Sequence, residues 1–86
     1  MKRNELYEKA VEKYGLQAQS LVAIEEMTEL SKVILKGFRN EINKEELTDE
    51  IADVEIMLEQ LKQFHEIGNK VRDRKRYKKI RLEKRL

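Results

Sequence analysis

The chain has 86 residues, 42% of them charged, a formal net charge of +2, and no cysteine or proline. A chain of this length forms one small domain with a thin core, here residues 1–86. The lack of cysteine excludes disulfide frameworks, thiolate zinc sites and a cysteine nucleophile. Because no apolar run approaches the roughly 18 residues that span a bilayer, and the first residues lack a signal-peptide core, we expect a soluble, cytoplasmic protein.

The composition predicts an all-α fold, a four-helix bundle. With only three glycines and no proline, the chain has few of the residues that form turns between strands. Glycine is common just past a helix end, so the glycines divide the chain into predicted helices at residues 4–14, 16–36, 44–66 and 69–85. Asn4 is predicted to cap the first helix, and Asn43 with Glu46 to form a capping box for the third.

The first two predicted helices each have one apolar face on a helical wheel. The first face consists of Leu6, Tyr7, Ala10, Val11 and Tyr14, and the second of Val22, Ala23, Leu30, Val33 and Ile34. Glu26 lies within the apolar face of the second helix, and Glu29 lies at its edge. Both acids are therefore predicted on or beside a surface that packs against another helix.

The third predicted helix repeats this arrangement of acids on an apolar face. That face consists of Leu47, Val54, Met57, Leu58 and Leu61. Glu50 lies in its middle and Asp53 at its edge. Residues three apart are neighbours on a helix, so two antiparallel helices can bring both acidic pairs to one centre.

Four acids facing a core require compensation, because an unpaired buried carboxylate costs several kcal/mol. Ligation by oxygen alone favours Mg²⁺, with Mn²⁺ as its substitute. The alternative is that each acidic pair belongs to a solvated face, which is the usual place for charged residues. Matching positions on two helices favour the metal site.

Two motifs then resemble a known family. Glu26-Met27-Thr28-Glu29 and Glu50-Ile51-Ala52-Asp53, separated by twenty residues, resemble the E-x-x-E…E-x-x-D signature of the MazG-like all-α nucleotide pyrophosphohydrolases. The strings AIEEMTEL (23–30) and DEIADVEIMLEQL (49–61) are similar to the second and third helices of short phage and Gram-positive members. The resemblance covers nearly the whole chain.

The resemblance implies hydrolysis of a nucleoside triphosphate between its α and β phosphates, giving the monophosphate and pyrophosphate. It implies Mg²⁺ held by Glu26, Glu29, Glu50 and Asp53. The residues support this chemistry, since metal ions offset polyphosphate charge and acidify an attacking water, so that no side-chain nucleophile is needed. Glu29 is expected to accept the proton of the water, because its edge position is the more accessible.

Further candidates for substrate binding are Gln19 and three cations near the C-terminus. Gln19 lies two turns before Glu26, and a glutamine stands at the matching place in similar short members; a hydrogen bond inside the bundle is the alternative role. Lys75, Lys78 and Arg81 lie on one side with Leu82, in a K-x-x-R-L pattern that resembles the end of similar proteins. They are expected to hold phosphates, and the alternative is a solvated basic helix that balances the acidic remainder of the chain.

The C-terminal segment, predicted as a basic helix within residues 69–86, is distinct in charge. It holds ten Lys/Arg and two acids, a charge of +8, whereas the remaining residues hold nine and fifteen, a charge of −6. A nucleic-acid-binding module based on this segment is therefore one alternative function. Another is an idle helical scaffold whose carboxylates pair with these cations. The nucleic-acid alternative leaves the core-facing acids without a role, so nucleic acid is not the expected partner.

The thin core also predicts association. Small helical domains often dimerise to enlarge their core. Ala52 and Ile56 lie off the main apolar face of the third helix, where they can meet another subunit. We expect a homodimer or homotetramer in which oligomerisation completes the bundle.

Overall fold

The computed structural model describes all 86 residues and contains only helices: α1 (Arg3–Tyr14), α2 (Leu16–Arg39), α3 (Lys44–Phe64) and α4 (Gly68–Arg85). The predicted all-α class and the number of helices are therefore confirmed. None of the four combines the length and apolar character that crossing a membrane requires.

Helices α2 and α3 form an antiparallel hairpin, the main packing unit of the chain. The side chain of Asn43 accepts hydrogen bonds from the backbone N–H groups of Glu45 and Glu46, so it caps α3 as predicted. The Glu46 side chain makes no reciprocal bond to Asn43, so the full capping box is not formed. At the far end of the hairpin, Gln19 Nε2 donates to Gln60 Oε1 at 2.9 Å. This bond joins the start of α2 to the end of α3 and marks their register.

Four predicted helix boundaries differ from the structure, at the start of α1, the end of α2, the end of α3 and the start of α4. Asn4 lies inside α1, whose N-cap residue makes no side-chain bond. Gly37 lies inside α2, and a Cβ there would come within 2.9 Å of Ile42 Cδ1, so this glycine admits the loop that returns to α3. At the next turn Glu66 takes the left-handed conformation, with φ 55°. Gly68 begins α4 and does not end α3.

The core of the single chain is small. Its buried residues are Tyr7, Ala23, Val33, Val54, Met57 and the polar Gln60. The predicted core positions of Leu6, Tyr14, Ile34 and Leu58 are wrong for one chain, because these side chains are exposed. The hairpin buries the strip where α2 meets α3, α1 packs on the hairpin and adds Tyr7 to the core, and much of both apolar faces stays exposed.

Helix α4 packs mainly against the end of α3, and only Val71 of its apolar residues is half-buried. The chain is accordingly extended. Its radius of gyration is 15.5 Å, against about 12 Å for a compact domain of this length. Its accessible surface is 7465 Å², whereas a folded monomer of this mass exposes roughly 5400 Å². About 2000 Å² more than usual thus faces solvent.

Candidate metal centre

The register of the hairpin places Glu26 opposite Asp53. Glu26 follows Gln19 by seven residues and Asp53 precedes Gln60 by seven, two helical turns in each case. Glu50 lies one turn from Asp53 on the same side of α3. One carboxylate oxygen from each of Glu26, Glu50 and Asp53 lies within 4.8 Å of the others. The structure thus brings three of the four predicted ligands together, and we call them the carboxylate centre.

The fourth predicted ligand, Glu29, lies at the edge of the carboxylate centre. Its side chain is exposed and pairs with Lys32, with 3.3 Å between Glu29 Oε1 and Lys32 Nζ. It therefore stands outside the group of three oxygens, in the accessible position that the helical wheel predicts. An exposed ion pair of this kind contributes little to stability, so Glu29 can exchange it for another partner.

The carboxylate centre concentrates negative charge in a partly dehydrated place. Glu26 and Glu50 are half-buried, and the pKa of each is raised above its usual value of 4.5. Desolvation is the largest cause for both carboxyls, followed by repulsion from Asp53, and Glu29 adds to it. Neither ion pair of the chain includes Glu26, Glu50 or Asp53. Such a group favours a bound proton or a bound cation.

One oxygen of the centre has a particular need for a partner. Glu50 Oε2 is buried and makes no hydrogen bond. An unsatisfied buried carboxylate oxygen is unusual in a folded protein and is costly. A divalent cation among the three carboxylates would satisfy it, and a donor set made only of carboxylate oxygens suits Mg²⁺ or Mn²⁺. The residues of the centre therefore fit a hard divalent cation.

The raised pKa values predict how pH affects the metal-free protein. Because the folded state holds protons on Glu26 and Glu50 more tightly than the unfolded state does, their contribution to stability is full below about pH 4.5 and is lost as pH rises through the raised pKa values. In the presence of a chelator, the melting temperature of Glu50→Gln should increase relative to that of the wild type as pH is raised from 4 to 8. Added Mg²⁺ should close the gap at neutral pH. A gap that stayed constant with pH would contradict the assignment.

Gln19 is engaged inside the hairpin. Its amide donates to the buried Gln60, whose own Nε2 lies 3.8 Å from Met57 Sδ. This is the bundle contact that the sequence leaves open as the alternative to nucleotide binding. Gln19 is half-buried, so its free carbonyl oxygen remains close to the surface of the hairpin.

The three predicted phosphate ligands of α4 do not meet the carboxylate centre within one chain. Lys75, Lys78 and Arg81 are exposed, and none forms an ion pair. The Arg81 guanidinium lies 5.9 Å from the centroid of the Tyr77 ring. Neither a phosphate clamp over the acids nor the salt bridges of an idle scaffold are therefore formed inside the single chain.

One polar contact has no signal in the sequence pattern. The Tyr7 hydroxyl donates a hydrogen bond to Glu59, which joins α1 to α3. The pKa of Tyr7 is raised, first by this hydrogen bond and then by burial. The pair borders a polar concavity of about 620 Å³ that does not include the carboxylate centre. Residues fifty-two apart cannot be paired by helical periodicity alone.

Comparison of the chain with models of protein families, with curated proteins and with solved structures gives no match. The fold and the site define a class in structural terms, an all-α protein whose central hairpin carries a cluster of three carboxylates. The resemblance to the MazG-like family rests on the two acidic motifs and the strings around them.

Proposed function

We propose that the protein is a Mg²⁺-dependent nucleoside triphosphate pyrophosphohydrolase of the MazG-like type. The observation that carries the proposal is the carboxylate centre, with oxygens of Glu26, Glu50 and Asp53 within 4.8 Å of one another and a buried Glu50 oxygen that has no partner. Carboxylates gathered in this way are stabilised by a divalent cation. The spacing of the acids on both helices also resembles the family signature.

In this proposal Glu26, Glu50 and Asp53 hold the cation. Bound Mg²⁺ offsets the charge of the triphosphate and makes an attacking water more acidic. The exposed Glu29 accepts the proton of that water, after giving up its contact with Lys32. The water oxygen bonds to the α phosphorus, and the bond from that phosphorus to the oxygen that bridges the α and β phosphates breaks. Pyrophosphate leaves with the bridging oxygen, and the monophosphate remains. Glu29 is preferred as the base because it is outside the cluster of three oxygens.

The proposal includes a homodimer or homotetramer. Helix α2 carries a second apolar surface, which we call the α2 seam, at heptad spacing: Ile24, Met27, Ile34 and Phe38, with exposed fractions of 56%, 40%, 43% and 83%. Apolar residues at this spacing pack against another helix. On α3, Ala52 and Ile56 are also exposed. The excess surface of about 2000 Å² exceeds the roughly 800 Å² that each partner buries in an ordinary interface.

A second copy of the chain would also supply the concave walls that the carboxylate centre needs to hold a nucleotide. The concavities of about 620, 400 and 350 Å³ are lined by none of the three carboxylates of the centre. Nucleotide sites are usually concave, so further walls would come from another subunit. Under this proposal Lys78 and Arg81 reach only a triphosphate that is bound at the carboxylate centre of a partner chain.

The test is a screen of canonical and modified nucleoside triphosphates with Mg²⁺, in which pyrophosphate and orthophosphate are detected separately. We expect pyrophosphate and the monophosphate in equal amounts, and no turnover with a chelator. Adding Mn²⁺ to the chelated and desalted protein should restore turnover. Orthophosphate as the sole inorganic product would refute the proposed bond cleavage, and turnover without any metal would refute the proposed role of the carboxylate centre.

A further inference from the structure

A second charged feature lies apart from the carboxylate centre. Where α4 leaves the end of α3, the chain forms a groove of about 350 Å³, lined by Lys62, Gly68, Val71, Arg72, Lys75, Arg76 and Lys79. Five of these residues are cations and none is an acid. We call this surface the cationic groove.

The positive charge of the cationic groove is almost unopposed. Among its cations only Arg72 has an ion pair, with 3.3 Å to Asp73, and both side chains are exposed. Exposed pairs of this kind contribute little. Like charges one turn apart on a helix repel each other, so a bound polyanion would relieve repulsion along α4. The groove is therefore a surface that favours a polyanion.

We propose that the cationic groove binds the phosphate backbone of duplex nucleic acid without reading its sequence. Arg72, Arg76 and Lys79 follow one another at spacings of four and three residues, so they lie along one side of α4. Cations one helical turn apart, about 5.4 Å along the axis, can follow a strand that carries one charge per roughly 3.4 Å. Lys62 extends the same row onto α3.

The lining of the groove disfavours single strands. Proteins that hold single strands without sequence preference stack bases on aromatic side chains, and the groove contains no aromatic residue. Tyr77, the aromatic residue of α4, lies outside it. The guanidinium groups of Arg74 and Arg81 lie 5.1 and 5.9 Å from the centroid of the Tyr77 ring, which restricts its access to a base.

An anionic membrane is also a poorer partner. Helices that bind a membrane surface carry one broad apolar face opposite their cations. On α4, Val71 and Leu82 lie on one side and Ile80 on the other, with cations between them. The helix therefore has charge to offer but no apolar face to insert.

The test measures binding of the full-length protein to a labelled mixed-sequence DNA duplex of about two helical turns at several salt concentrations. Affinity should fall with salt, and the triple variant Arg72→Gln, Arg76→Gln, Lys79→Gln should bind at least about tenfold more weakly, with a salt slope smaller by about 2 to 3. The matched control removes the same charge from Lys2, Lys9 and Lys36, which are exposed and have no ion pair. It should bind nearly as the wild type does.

Further measurements compare the duplex with other polyanions. A single strand of the same length and anionic vesicles should each bind more weakly than the duplex, and Tyr77→Ala should leave duplex binding unchanged. Both triple variants should retain nucleotide hydrolysis, and Glu50→Gln should retain duplex binding. Duplex binding by the cationic groove and the proposed hydrolysis are therefore tested independently. Absence of duplex binding at low salt, an equal loss in the control triple, or preference for vesicles or single strands would each overturn the inference.

Discussion

Glu50→Gln and Glu26→Gln are each expected to lower Mg²⁺-dependent pyrophosphate release by more than about 100-fold, since loss of an outer-shell metal partner alone typically costs 10- to 100-fold. Each substitution replaces a carboxylate oxygen with an amide nitrogen, which does not bind Mg²⁺. The helical fold should survive, because both carboxyls are half-buried among like charges. Removing one charge relieves that repulsion, so the metal-free variants should melt no lower than the wild type at neutral pH.

Matched controls for these variants lie on the same helices. Glu25→Gln on α2 and Glu55→Gln on α3 remove the same charge from exposed positions outside the carboxylate centre. They should leave turnover and the Mg²⁺ requirement nearly unchanged. Circular dichroism should report equal helical content in all four variants. Near-normal turnover of Glu26→Gln or Glu50→Gln with an unchanged Mg²⁺ dependence would show that the proposed ligand set is wrong.

The double variant Ile24→Lys, Phe38→Lys is expected to weaken self-association by at least about 1,000-fold. Both residues belong to the α2 seam, with 56% and 83% of their surface exposed in the single chain, so lysine is tolerated there by the fold. Burying each apolar side chain in an interface contributes about 2 kcal/mol, so the two residues of one subunit alone contribute about 4 kcal/mol, which corresponds to a thousandfold change in Kd. The same two residues change in the other subunit, which adds to the loss. Sedimentation velocity over a concentration series measures the change.

The control for this variant adds two lysines at exposed apolar positions away from the seam. Tyr14 and Leu86 are 58% and 97% exposed, and Tyr14→Lys, Leu86→Lys should leave the oligomer intact. A monomeric wild type at micromolar concentration would contradict the proposed oligomer. If the wild type associates and the seam variant associates equally well, the interface lies on another surface.

The sequence alone determined the features that depend on neighbours along one helix. Periodicity placed Glu26 and Glu50 on the inner faces of α2 and α3 and Glu29 and Asp53 at their edges, and the half-buried and exposed classes of these side chains agree. Asn43 was identified as a cap for the same reason, because its partners are two and three residues away. Local spacing is sufficient where every interacting atom belongs to one turn.

Only the tertiary structure decided which of these faces meet and how far each element is covered. The Gln19–Gln60 contact marks the register that sets Glu26 opposite Asp53 and leaves Glu29 outside the three-oxygen cluster. Helix α2 continues to Arg39, past the predicted end, and Ile42 packs on Gly37 inside it. The direction of α4 placed the cations of the cationic groove beside α3 and away from the carboxylate centre of the same chain. Helical periodicity assigns a direction to each side chain around its own axis, but distances between helices depend on packing and loop geometry, which that periodicity does not contain.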